Sequence, residues 1–225
     1  MEEPIGVTEA AQVPQQRSEQ LLEAAAWYTQ ERHWDVFPGT WLEAVGGTER
    51  CSCGEAACGA PGAHPTRPDW AGQATGSAAA ARRMWSRQPG SSVLLPAGRT
   101  FDALDVPESA GFLALARMER MGLTPGPVTR TPDRRMLFFA QPGAAAKAPE
   151  LVRQLGWDAR AIRLVGRGEG DYVAGPPTRL AGRGAVQWAR RPSRADLWLP
   201  DAGELISPLA YACAREAADA RSRLS

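Results

Sequence analysis

The stretch 91-SSVLLPAGRTFDALDVPE-108 decides how the chain folds. Two apolar runs, Ser92 to Pro96 and Phe101 to Val106, flank the turn Ala97-Gly98-Arg99-Thr100 and read as buried strands. The second run carries Asp102 and Asp105 and ends at Pro107-Glu108. A buried strand that ends in carboxylates is a platform for metal ions. Residues three apart on a strand face opposite sides, so Asp102 points away from Asp105. Glu108 joins Asp105 only if Pro107 ends the strand.

Working outward, Ser18 to His33 has helical periodicity with Ser18 as cap, and Trp34 to Trp41 reads as a strand broken by Pro38-Gly39. Helices are expected over Thr75 to Arg87 and Ser109 to Met121. Pro125 to Ala140 predicts a hairpin, with VTRT and RMLFF around the turn Pro132-Asp133-Arg134. A short helix over Ala148 to Leu155, two strands within Ala161 to Ala174 around the loop GRGEGD, and a last strand over Ala185 to Ala189 follow. Ile206 to Arg221 closes the chain as a helix that begins near Ser207-Pro208. Residues 1 to 16 are polar and aperiodic and read as a disordered tail, 17 to 200 as one domain, and 201 to 225 as a C-terminal helix packed on it. Several connections are too short for helical crossovers, so the fold class is α+β with mixed or antiparallel sheets.

Residues 50 to 70, RCSCGEAACGAPGAHPTRPDW, form a Gly/Pro-rich loop that needs something to hold it. Cys51, Cys53, Cys58 and His64 have the spacing C-x-C-x4-C-x5-H, and three thiolates with one imidazole suit a tetrahedral structural zinc. Cys213 falls in a helical pattern and reads as a small core residue. His33, beside Trp34 at a helix end, reads as a packed or exposed histidine, and the eight tryptophans read as core.

The 225 residues, 44% apolar and 23% charged, describe an ordinary globular protein. No run approaches the length of a membrane span, and the acidic start lacks the features of a signal peptide, so the expected compartment is the cytoplasm and no membrane partner is expected. Disulfides are not expected there. The net charge of +1 hides an asymmetry: residues 130 to 194 hold 13 Lys/Arg against 5 Asp/Glu. That basic middle segment can meet phosphates.

The order of these motifs resembles the bifunctional DNA primase/polymerase (prim-pol) N-terminal domain of the archaeo-eukaryotic primase superfamily. The pieces that carry the resemblance are the first helix with WDVFPG, the CSCG…C…PGAHP loop, RRMWS, SVLLPAGRTFDALDV, VTRTPDRRMLFF and GEGDYVAGPPT, spread over most of residues 18 to 190. The resemblance implies an RRM-like catalytic sheet with a zinc-binding loop, and extension or initiation of nucleic-acid chains from nucleotides with divalent metal. Two-metal chemistry needs paired acids to hold the ions. The family's pair falls where this chain reads Asp105-Val106-Pro107, its small-residue turn and histidine where this chain reads Thr131 to Met136, and its later acid near Arg163 and Leu164.

Three catalytic elements therefore depart from the family pattern. The expected function is a primase/polymerase-like protein that binds nucleic acid, DNA above all, or nucleotides through Arg130, Arg134, Arg135, Arg163 and Arg167, with nucleotidyltransferase activity lost or weak. One alternative is an active enzyme that uses Asp105 and a relocated acid such as Glu108, with Mg²⁺ or Mn²⁺ required only in that case. The other is a zinc-stapled module that recruits a protein. No helicase-like phosphate loop is present, so a helicase or other replication protein would be a separate partner.

Overall fold

In a computed structural model, residues 8–193 and 197–223 are described. The order is α1 (Thr8–Glu31), β1 (Phe37–Pro38), β2 (Leu42–Val45), β3 (Thr48–Cys51), α2 (Ala78–Arg87), β4 (Val93–Pro96), β5 (Asp102–Pro107) and α3 (Glu108–Arg120). There follow β6 (Val128–Thr131), β7 (Arg135–Ala140), α4 (Ala144–Gln154), β8 (Val165–Arg167), β9 (Tyr172–Ala174), β10 (Arg179–Leu180), β11 (Gly184–Ala185), β12 (Gln187–Arg190) and α5 (Ala202–Ser222). No described helix is long and apolar enough to cross a membrane. The chain divides into two units, one running to Leu95 and including Ala174–Gly184, the other comprising Pro96–Val173 and the chain from Ala185.

In the first unit α1 buries Leu21, Ala25, Ala26 and Tyr28, and the Tyr28 hydroxyl donates to the Pro176 carbonyl at 3.0 Å. Ser77 caps α2 by accepting from the Ala80 N–H, and α2 buries Trp85, whose indole N–H donates to the Ser91 carbonyl at 2.9 Å. Strands β1 and β4 pair antiparallel, with Phe37 opposite Leu94. Strands β2 and β3 form a hairpin in which Leu42 lies opposite Cys51 and Val45 opposite Thr48. Its two turn residues, Gly46 and Gly47, have φ of 59° and 80°, a conformation that glycine adopts without steric cost.

The second unit is built on a five-stranded antiparallel sheet of order β12-β6-β7-β5-β8. Leu104 and Val106 of β5, Val128 of β6 and Met136 and Phe138 of β7 join α3, α4 and α5 in one core. Alternation along β5 turns Asp102 to that helical side and Asp105 to the opposite face. Asp102 is 2% exposed, and its Oδ2 accepts the Ala145 N–H at 2.8 Å in the first turn of α4, where a carboxylate is favoured. Gly111 brings α3 down on β7, since a Cβ there would lie 2.6 Å from the Met136 sulfur.

The fold is α+β, with antiparallel pairing of β1 with β4, in the β2–β3 hairpin and throughout the five-stranded sheet, as the short connections require. The two runs of the opening stretch are both strands, but β4 pairs with β1 while β5 pairs with β7 and β8. Helix α1 begins at Thr8, so residues 8–16 of the expected tail are helical, and residues 1–7 lie outside the described residues. The first strand expected within Ala161 to Ala174 is shorter than its sequence suggests. Asp158 accepts the N–H groups of Arg160 and Ala161 at 2.7 and 3.1 Å, and Arg163 adopts φ of 58°. A turn therefore occupies residues 161–163, and β8 starts only at Val165.

A close approach between β8 and α4 gives a direct test. A Cβ on Gly166 would lie 2.7 Å from Ala145 Cα and 2.8 Å from Ala145 O. Gly166→Ala should therefore destabilise the chain by about 1–3 kcal/mol, read as a lower urea midpoint; an unchanged midpoint would show that α4 can move away freely.

Candidate functional site

The Cys/His loop starts where the β2–β3 hairpin ends. Cys51 is the last residue of β3, and the Trp41 N–H donates to Ser52 Oγ at 3.0 Å while the Ser52 N–H donates to the Trp41 carbonyl at 2.9 Å. Thr40 ties down the far end: its N–H and hydroxyl donate to the His64 carbonyl at 2.8 and 3.1 Å. These anchors bring one donor atom from each of Cys51, Cys53, Cys58 and His64 within 4.8 Å of one another. A tetrahedral zinc with Zn–S of about 2.3 Å sets ligand separations of about 3.5–3.8 Å, so the four donors could hold a metal ion after small side-chain adjustments.

His64 is already oriented for ligation. Its Nδ1 lies 2.8 Å from the Pro65 carbonyl, which can only accept, so Nδ1 donates to it and Nε2 is the nitrogen turned toward the cysteines. That Nε2 lies 3.3 Å from Cys51 Sγ, and the Gly62 N–H donates to the same sulfur at 3.3 Å. Burial alone would raise the Cys51 thiol, but the N–H groups of Cys53 and Gly62, aided by the Thr40 and Cys53 side chains, bring it down to about 6. Burial and the neighbouring Cys51 and Cys53 sulfurs push Cys58 up to about 11, although the Ala60 N–H opposes them. Cys213 stands apart, 1% exposed in the α5 core, with burial raising it to about 12.

In the second unit, β5 places Asp105 opposite Leu137 of β7 and Val165 of β8. The Asp105 side chain is 7% exposed and each of its oxygens is taken by an arginine. Arg135 Nε donates to Oδ1 at 2.6 Å, while Arg167 donates to Oδ2 through Nε at 3.2 Å and Nη2 at 2.9 Å. Arg135 Nη2 also donates to the Asp105 and Arg163 carbonyls, both at 3.0 Å. The left-handed backbone of Arg163 is thus part of the same bonded group.

Glu108 belongs to different arginines. Pro107 ends β5 and serves as the N-cap of α3, and Glu108 is the first helical residue, ion-paired with Arg130 and, at 3.5 Å, with Arg134. Arg134 sits in the β6–β7 turn with φ of 64° and its side chain is 81% exposed. Met136 is fully buried beneath α3 in the core. Leu164 is buried in that core too, just before β8.

A cavity of about 980 Å³ opens beside Asp105. It gathers Arg135, Arg163 and Arg167 of the arginines expected from sequence, but neither Arg130 nor Arg134. Arg153 and Arg160 also line it, unsignalled beyond their place in the basic segment. Pro149, Trp157 and Leu164 supply an apolar wall, so Trp157 is not simply core. Five arginines against Asp105, Asp133 and Asp158 leave the lining electropositive. Apolar and cationic side chains lining one cavity suit an anion with an apolar end.

The family described as "Bifunctional DNA primase/polymerase, N-terminal" matches residues 25–203. Among solved structures the chain is similar to the "Polymerase Domain from Mycobacterium tuberculosis Ligase D in complex with DNA", with 13% identity, 90% of this chain and 89% of that chain covered, and a TM-score of 0.36. No curated protein matches the sequence.

The Cys/His cluster yields its own test. The purified chain should carry about one tightly held metal ion, with Cys53→Ser lowering the content, and removal by a chelator should open residues 50–70 to protease. Acid should act like the chelator, because protons compete for the thiolates, and protection should fall as pH falls. A metal-free chain whose loop resists protease equally well would contradict this assignment.

Proposed function

Because the chain belongs to the bifunctional DNA primase/polymerase N-terminal family, we propose that it is a primase/polymerase-like protein that binds nucleic acid or nucleotides, with nucleotidyl transfer lost or weak. One observation carries this reading: the acid at the family's metal position, Asp105, has both carboxylate oxygens bonded to guanidinium groups. A two-metal clamp needs carboxylate oxygens turned toward the ions, and two cations beside Asp105 disfavour a third. Pro107 takes the place of the second acid, and Glu108 is engaged by Arg130 and Arg134. The residues at this position therefore do not fit a pair of divalent ions.

What the second unit offers instead is positive charge. Guanidinium groups bind phosphate through charge-assisted hydrogen bonds and need no metal to do so. Arg160 and Arg163 line the cavity with no side-chain ion pair among the described residues, and Arg153, which also lines it, is held by Glu150 at 2.6 Å. DNA is the favoured polymer because the family acts on it. A separate helicase or other replication protein is the partner class that such a chain would serve.

For the Cys/His loop we infer structural zinc, since three thiolates and an imidazole with no open position match that ion's preferences. Its work is to staple the Gly/Pro-rich segment between β3 and α2, which has little apolar surface of its own to bury.

The decisive assay is extension of a primed template with Mg²⁺ or Mn²⁺. The purified chain should add no nucleotides, whereas incorporation that Asp105→Ala abolishes would establish an active enzyme. In gel-shift assays DNA should be retained at low salt, and its affinity should fall steeply with added salt. The double variant Arg160→Ala/Arg163→Ala should reduce that log–log slope by about two. Salt-insensitive retention, or none, would favour a protein-recruiting module.

A further inference from the structure

We propose that Asp105 is a positioning residue that holds Arg135 and Arg167 as a metal-independent clamp for a polyphosphate anion. The proposal rests on the binding function argued above and assigns a ligand class and a charge mechanism to the cavity. Its starting point is the way the two guanidinium groups are bonded. Arg135 spends Nε and Nη2 on Asp105 and on the Arg163 carbonyl, and Arg167 spends Nε and Nη2 on Asp105. Each keeps its Nη1 group without a partner among the described residues, and both residues line the cavity. A flexible arginine loses rotamer freedom when it grips an anion, and here Asp105 has already imposed that loss.

The shape of the cavity selects between phosphate sources. Its volume of about 980 Å³ is that of a small-molecule pocket, and Pro149, Trp157 and Leu164 form a wall with nothing to offer a charged backbone. A compact polyphosphate, with or without an aromatic end group to lie against Trp157, fits that combination better than a polymer does. Arg160 and Arg163 add two cations whose guanidinium groups have no ion-pair partner among the described residues. Magnesium has no ligand to recruit at Asp105, and chelation of the polyphosphate by magnesium removes the negative charge that the arginines recognise. Divalent metal should therefore oppose binding.

The clamp makes a prediction opposite in sign to simple charge counting. Removing a carboxylate from a basic cavity should tighten anion binding if only net charge matters. If Asp105 positions the arginines, Asp105→Asn should weaken it. The experiment is calorimetric titration of inorganic triphosphate into the full chain in buffer cleared of divalent ions by resin, because a chelator would also strip the Cys/His loop. One triphosphate should bind per chain without metal, and excess Mg²⁺ should weaken it. Asp105→Asn and Arg167→Gln should each cost about tenfold, as expected for charge-assisted hydrogen bonds, and the double variant should be little weaker than either alone. Arg167 is 40% exposed, so its variant carries the test should Asp105→Asn fail to fold. Binding that requires Mg²⁺, tightening by Asp105→Asn, or additive losses would overturn the clamp. Retention of DNA at low salt with no triphosphate bound would overturn the clamp alone, and failure to bind either would overturn the function on which it rests.

Discussion

The bonding of Asp105 by Arg135 and Arg167 is the constraint on which the second unit's chemistry depends. A carboxylate with 7% exposure must be compensated, and two kinds of partner can do it: metal ions or guanidinium groups. This chain uses the second. Arg135 arrives from the pairing of β7 with β5 and Arg167 from the pairing of the edge strand β8 with β5, so three neighbouring strands of the sheet supply the ion-paired group. Losing either arginine would leave one oxygen of this buried carboxylate without its ion-pair partner. The arrangement therefore ties sheet stability to cavity charge, and metal binding would require both arginines to leave Asp105.

The first unit solves a different problem with similar economy. Residues 51–64 contain almost no side chain that can be buried, and the hairpin β2–β3 with Thr40 fixes only the two ends. Four donor atoms converging within 4.8 Å supply what packing does not. The protonated Nδ1 of His64 and the N–H groups that lower Cys51 prepare two of the four donors before an ion arrives. Donors that could hold a cation thus converge in the loop, while the acid of the sheet is bonded to arginine.

Much of this was legible in the sequence. The alternation of FDALDV and RMLFF gave β5, β7 and the opposite orientations of Asp102 and Asp105, and the Cys/His spacing pointed to four donors that do converge. The Gly46-Gly47 pair is a hairpin signal, but the flanking LEAV and TERC are short and exposed, so no strand pattern frames it. The turn at residues 161–163 is hidden because Ala-Ile-Arg-Leu-Val has the composition of a strand, and the Asp158 side chain with the backbone bonds around it diverts the chain. What no local pattern could reveal is which arginine meets which acid. Arg135 and Arg167 lie 30 and 62 positions from Asp105, and Arg130 lies 22 from Glu108. Those separations are set by strand register, which is why one basic segment splits into a cavity group and a group at the start of α3.

Asp105 is closed to a divalent ion for as long as Arg135 and Arg167 hold its two oxygens. Titration of Mn²⁺ into the chain with its Cys/His loop already filled by zinc, followed by electron paramagnetic resonance of the free aqueous ion, tests this directly. The free-ion signal should rise in proportion to the Mn²⁺ added, as it does without protein. Stoichiometric loss of that signal, reversed by Asp105→Ala, would contradict the account.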